Sequence, residues 1–239
     1  FCTATQQSHL ELRNQKEAFM GWFKRMMGFE APKPSKPMDV IPAVEMPFGL
    51  AVGRMICFKA DLKGLLAGET DIVVPDDDKV VAIGTLDTGN GSRLVRCYLD
   101  NEDYFVQFVM SGSRADDIEN IILFGYHDVQ TLASKAELLR LIGPQSKIGM
   151  PFYELEGTEY TRQWGTEDGQ TEMTPLTEKV VGEGGAYSVY HDCVLYAREL
   201  DLTNRREFLF LSAETDEPGN ISLTTAVGVT LQITDISVL

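Results

Sequence analysis

Alternating apolar and polar residues around glycine-rich turns constrain this chain more than any other feature. From about Pro42 onward the pattern is mostly that of strands. "DKVVAIGTLDTGNGSRLVRCYLD", residues 78–100, holds two β-rich runs around a turn at Thr88 to Ser92, a hairpin signal. "DYFVQFVMSG" and "IENIILFGYHDV" add strands and extend an antiparallel meander. "PFYELEGTEYTRQWG" reads as a further hairpin, 165–188 as a loose stretch, and strands resume around 188–199, 206–213 and 220–236. Helix signals are few. "SKAELLRLIG", 134–143, has Ser134 and Glu137 at capping-box spacing and Gly143-Pro144 as a stop; "ADLKGLLAG", 60–68, is shorter. The expected fold class is α+β, β-dominated, with antiparallel sheets and few helices.

A weak internal repeat suggests two similar β-rich halves. "DKVV" at 78 returns as "EKVV" at 178, "CYLDNEDYFVQFVMSG" resembles "RELDLTNRREFLFLSA", and "ENIIL" at 119 resembles "GNISL" at 219. An offset near 100 residues predicts a duplicated unit about a pseudo-twofold axis, against chance similarity between alternating strands. The expected organisation is an arm and linker at 1–37, a first half at 38–146 and a second at 147–239.

The charge is divided unevenly. Net charge is −15 over 239 residues. Residues 1–37 carry six Lys/Arg and three Asp/Glu, which leaves −18 on the other 202. An acidic body repels phosphate backbones, so nucleic acid is not an expected partner. Apolar runs such as "IILFGY" fall far short of the roughly 20 residues of a spanning helix. Four cysteines without CxxC spacing suit reduced thiols in a cytoplasm.

Within the arm, "MGWFKRMMG" at 20–28 puts Trp22, Phe23, Met26 and Met27 on one helical face beside Lys24 and Arg25. A membrane or partner surface could order this segment; docking on the protein's own body is the competing reading. Two readings of residues 1–19 also stay open. Lys16-Glu17-Ala18 can be encoded by a ribosome-binding sequence ahead of Met20, which makes 1–19 a translated leader. Alternatively Ser8 and Glu11 cap a longer amphipathic helix. "APKPSKP" reads as a proline-stiffened linker.

Chemistry is thinly signalled. Tyr-His-Asp occurs at 126–128 and 190–192, and His-Asp pairs ligate metals or move protons, yet these are the body's only histidines. His127, Asp128, His191 and Asp192 therefore form a site only if two distant strands converge; otherwise they are histidines bonded to a neighbouring acid or carbonyl. Cys193 lies in an apparent strand and reads as buried. Tyr160, Arg162 and Trp164 alternate on one expected strand face as a cation–π ladder, structural or a partner-binding patch. Gly 89–91 and 182–185 read as turns. No metal or cofactor is expected, and enzyme motifs are lacking without deciding the point.

"MGWFKRMMG", "RLVRCYLD", "LFGYHD", "IGMPFYELEGTEYTRQWG" and the closing acidic β region together resemble the YjfK-like family of uncharacterised bacterial proteins, from Met20 to the C-terminus. The resemblance implies Met20 as the start and no assigned catalytic residues. It also implies gene neighbours of the phage-shock membrane-remodelling type, small membrane proteins, and ligases resembling glutathionylspermidine synthase. The expectation is a cytoplasmic interaction or adaptor protein, peripheral to the inner membrane in an envelope-stress setting. Its partner would be a basic or membrane-associated protein, with an anionic membrane surface as a further contact. The alternative is a small-molecule-binding protein or enzyme with a pocket between the two halves.

Overall fold

In a computed structural model, residues 45–89 and 91–239 are described. Twelve strands are present among them: β1 (Met55–Phe58), β2 (Asp78–Gly89), β3 (Ser92–Leu99), β4 (Tyr104–Met110), β5 (Ile118–Leu132), β6 (Phe152–Leu155), β7 (Thr158–Arg162), β8 (Thr174–Gly182), β9 (Gly185–Glu199), β10 (Arg206–Asp216), β11 (Ile221–Leu231) and β12 (Ile236–Val238). Two short α-helices accompany them, α1 (Leu62–Leu66) and α2 (Lys135–Ile142).

Eight of the strands close into an antiparallel barrel. Pairing runs β2–β3–β4–β5–β11–β10–β9 in order, and β8 joins β9 back to β2. The barrel thus takes one up-and-down meander, β2–β5, and a second, β8–β11, and seals them at the β2–β8 and β5–β11 seams. Closure removes the exposed edges that an open sheet of this size would carry. Antiparallel, β-dominated architecture agrees with the sequence reading, but β8 occupies much of the stretch expected to be loose. Its nine residues include Pro175 and the charged Glu178 and Lys179, which blur the alternation.

Both faces of the central strands are buried, which explains near-continuous apolar runs such as "IILF" and "FLFL". On β3, Val95, Cys97 and Leu99 point outward into a large core, while Arg96 and Tyr98 point into the barrel. The outer core is roofed by Leu50, Ile56, Leu62, Leu66, Ile148 and Tyr160 from β1, α1, β7 and the connecting segments. Glu207 on β10 anchors this roof. It is fully buried and accepts from Tyr160 Oη at 2.7 Å, Arg198 Nε at 2.7 Å and the Asp71 backbone N–H at 3.0 Å.

Helix α2 forms where the capping signal puts it. Ser134 Oγ accepts from the Glu137 N–H at 3.2 Å, and Glu137 Oε2 reaches back to the Ala133 N–H at 3.0 Å. Leu138 and Leu141 seat it on β5 and β11, at one seam of the barrel.

Candidate functional site

The interior of the barrel is built around ionised side chains. Strand alternation sends Arg96 (β3), Glu178 (β8) and His191 (β9) inward, and all three are almost completely buried. Arg96 Nη1 donates to Glu178 Oε2 at 2.9 Å and its Nε donates to Gln107 Oε1 at 2.9 Å. Tyr98 Oη donates to Glu178 Oε1 at 2.7 Å. His191 Nε2 lies 2.9 Å from Glu178 Oε2, while Nδ1 lies 3.0 Å from Ser212 Oγ and 3.6 Å from Glu214 Oε1.

Contacts across the barrel show that side chains occupy its middle. The Arg96 guanidinium sits 5.4 Å from the Phe105 ring and 5.1 Å from the Phe210 ring. β3 and β10 are separated by three strands in either direction around the barrel, so the Arg96–Phe210 contact spans its diameter. Phe105 stacks on Phe124 at 4.9 Å, and Phe124 meets Phe210 at 6.0 Å. A guanidinium between aromatic faces gains cation–π attraction in a site that water does not screen.

Protonation follows from the geometry. Burial alone would raise the Glu178 carboxyl, but Arg96 and the hydrogen bonds from His191 and Tyr98 outweigh it and bring it down to about 2. Burial alone would lower His191, but hydrogen bonds to Glu178 and Glu214 outweigh it and lift the ring to about 9. At neutral pH the imidazole is therefore an imidazolium, with both ring N–H groups donating. Arg96 and His191 then balance Glu178 and Glu214, which is how a barrel interior holds four charges. Burial pushes the Cys193 thiol up to about 12, so it is not a thiolate nucleophile.

Gly84 on β2 is required by this arrangement. A Cβ at that position would overlap Glu178 Oε1 and crowd its Cδ, and the carboxylate is held by Arg96, His191 and Tyr98. Substitution G84A is expected to destabilise the fold by about 1–3 kcal/mol, read as a lower urea midpoint at unchanged slope. A glycine on β11 does similar work: a Cβ on Gly228 would stand 2.5 Å from Phe124 Cδ1.

The candidate residues of the sequence do not converge. Adjacent residues of a strand face opposite ways. His191 therefore enters the barrel while Asp192 is exposed outside it. His127 is the extra residue of a β-bulge, since Asp128 pairs with Thr225 and Tyr126 with Ala226. It lies outside the barrel near Glu156 at 3.8 Å, and Asp128 is exposed. Tyr160 and Arg162, two apart on β7, share its buried face, but β7 ends at Arg162, so Trp164 does not continue the ladder. Tyr160 packs in the outer core under Arg198, whose guanidinium is 6.0 Å from its ring. Arg162 ties the segment before β6 to the loop after β7 by donating to the carbonyls of Gly149, Glu167 and Gly169. Trp164 packs against the aromatic cluster of the barrel interior. Trp22, Phe23, Lys24, Arg25, Met26 and Met27 lie outside the described residues.

Arg96, Tyr98, Glu178, Ser212 and Glu214, which form the cluster with His191, were not singled out by sequence. Their signal was present: a charge mid-strand among apolar neighbours, as in "LVRCYL" and "TEKVV". Cys57, Cys97 and Cys193 are free thiols. Among the described residues, no helix is long and apolar enough to cross a membrane, and no group of His, Cys, Asp and Glu has the arrangement of a metal site. A surface groove of about 720 Å³ runs past Ile118, Asn204, Arg206 and Ile233 and contains none of the candidate residues.

The family described as "Protein of unknown function (DUF2491)" matches residues 22–237. The chain belongs to the DUF2491 family. It is also similar to the uncharacterized protein YjfK of Escherichia coli K12, at 24% identity over 227 residues that cover 92% of this chain and 99% of that protein. The resemblance seen in the sequence is thereby established at the level of a DUF2491, YjfK-like family. No solved structure matches the chain.

Proposed function

We propose that this DUF2491 protein is an interaction or adaptor protein of the bacterial cytoplasm. Its basic amphipathic arm attaches weakly to the inner membrane, in an envelope-stress setting, and its acidic body engages a basic partner. One observation carries the reading: the barrel interior is occupied by the protein's own aromatic and ionised side chains, spanning its diameter from Arg96 to Phe210. Recognition then falls to the outer surface, where charge is the dominant property. The barrel belongs to the same proposal as a pair of similar halves. Supporting this, the repeat at an offset near 100 places β2 to β5 against β8 to β11 in the same order.

Co-sedimentation with liposomes tests the membrane part. The full chain is expected to pellet with anionic vesicles and not with neutral ones. A chain begun at Met38 is expected to stay in the supernatant. Each cation near an anionic leaflet contributes about 1 kcal/mol, so removing the attraction of Lys24 and Arg25 by K24E and R25E should weaken binding by about thirtyfold or more. Binding that persists unchanged in high salt would contradict the electrostatic part. No binding by either form would remove the membrane from the account.

The second reading, a small-molecule-binding protein or enzyme between the two halves, also has an observation in its favour. Glu214 has 13% side-chain exposure and lies next to the buried His191, so the charge cluster comes near solvent there.

A further inference from the structure

The hairpin β6–β7 stands out from the rest of the fold by its exposed backbone and its charge. Among the described residues β6 has a strand on one side only, β7, and ends the sheet beyond β9. Its register shows which groups are open. The Arg162 N–H donates to Pro151 O at 2.8 Å, so Pro151, Tyr153 and Leu155 bond toward β7. Phe152 and Glu154 alternate with them and direct their N–H and C=O groups away from it. No partner for those four groups is found among the described residues.

The side chains of these two residues face solvent as well. Phe152 is 57% exposed, and Glu154 stands directly opposite the exposed Glu159. Like charges directly opposed across two strands are unfavourable. Neither glutamate has a Lys or Arg within ion-pair distance among the described residues. Residues 151–161 hold three Glu and no Lys or Arg, and Arg162 at the base is turned inward to loop carbonyls. A sheet edge guarded by lysine repels other strands generally. This edge, with an aromatic anchor and an uncompensated acidic pair, repels a second copy of itself and attracts a cationic strand.

We propose that β6 is a strand-addition site for an extended, lysine- or arginine-bearing segment of a partner protein. Main-chain hydrogen bonds form to Phe152 and Glu154, the Phe152 ring packs against an apolar residue, and Glu154 and Glu159 pair with alternate cations. The inference rests on the adaptor reading and gives its basic partner a docking place.

The test is fluorescence titration of the full chain with a labelled peptide of about ten alternating lysine and valine residues. Binding is expected to fall by about tenfold or more for E154K/E159K, and for a peptide N-methylated at every residue, which keeps the charge but has no amide donor on either edge to extend the sheet. Slowed amide exchange at Phe152 and Glu154 should accompany binding. Tight binding that ignores both changes overturns the strand-addition site while leaving the acidic body as the partner surface. No binding under any condition overturns both. A dimer abolished by the hairpin substitutions would give the edge to a second copy. Binding that appears only after residues 1–37 are removed would give it to the chain's own arm. Either result contradicts the proposal.

Discussion

Replacing Glu178 by glutamine is expected to lower the unfolding free energy by about 3–5 kcal/mol, because it leaves Arg96 without a counter-ion in the barrel interior and takes from His191 one of its two carboxylates. Arg96 and His191 both donate to Glu178 Oε2 at 2.9 Å, and Glu178 and Arg96 are at most 3% exposed. Glutamine keeps the volume and one carbonyl oxygen, so packing changes little and the loss reports the charge. The measurement is urea unfolding at pH 7. Adding R96M to E178Q should recover part of the loss, since an apolar side chain between Phe105 and Phe210 needs no counter-ion. A loss below about 1 kcal/mol would place the cluster among solvent-screened ion pairs, against the closed interior described above.

The same contacts predict a fold that weakens in alkali as His191 loses its proton. His191 rises from an ordinary 6.5 to about 9 in the folded protein. A group raised on folding contributes fully below its unfolded value, and the contribution disappears as pH climbs through the folded value. The expected loss is therefore about 3 kcal/mol between pH 6.5 and just above 9. Glu178 has the opposite sign: lowered to about 2, it contributes above its ordinary value and loses that contribution as pH falls toward 2. The two shifts share one Glu178–His191 contact and are not additive. Urea midpoints across pH 6–10 should show the alkaline decline in the parent and a much shallower one in E178Q.

The sequence was more informative about strands than about what they enclose. Gly89, Gly91 and the alternation on either side sufficed for β2–β3, and Glu156-Gly157 for β6–β7, because a hairpin is encoded locally. Closure through β2–β8 depends on residues about 100 positions apart, as in Gly84 opposite Val180, and no local pattern encodes that. The charge cluster shares this difficulty. Arg96 and Glu178 look like solvent-facing residues of separate strands until the barrel closes and turns both inward. His191 attracted notice by residue type, but alternation separates it from Asp192, and its partners come from β8 and β10. The repeat between "DKVV" and "EKVV" came nearest to disclosing the site, since it marks the strand that carries Glu178.

The central claim is that the barrel interior is a closed, internally neutralised core, which leaves the outer surface for recognition. Nitrogen-15 NMR of the imidazole of His191 tests it most directly, with H127Q simplifying a spectrum of three histidines. The account predicts both ring nitrogens protonated at pH 7.5 and a midpoint near 9. A single protonated nitrogen at pH 7.5, with a midpoint near the ordinary value of about 6.5, would contradict it. Water would then reach the ring, and the barrel would be an open cavity rather than a filled one.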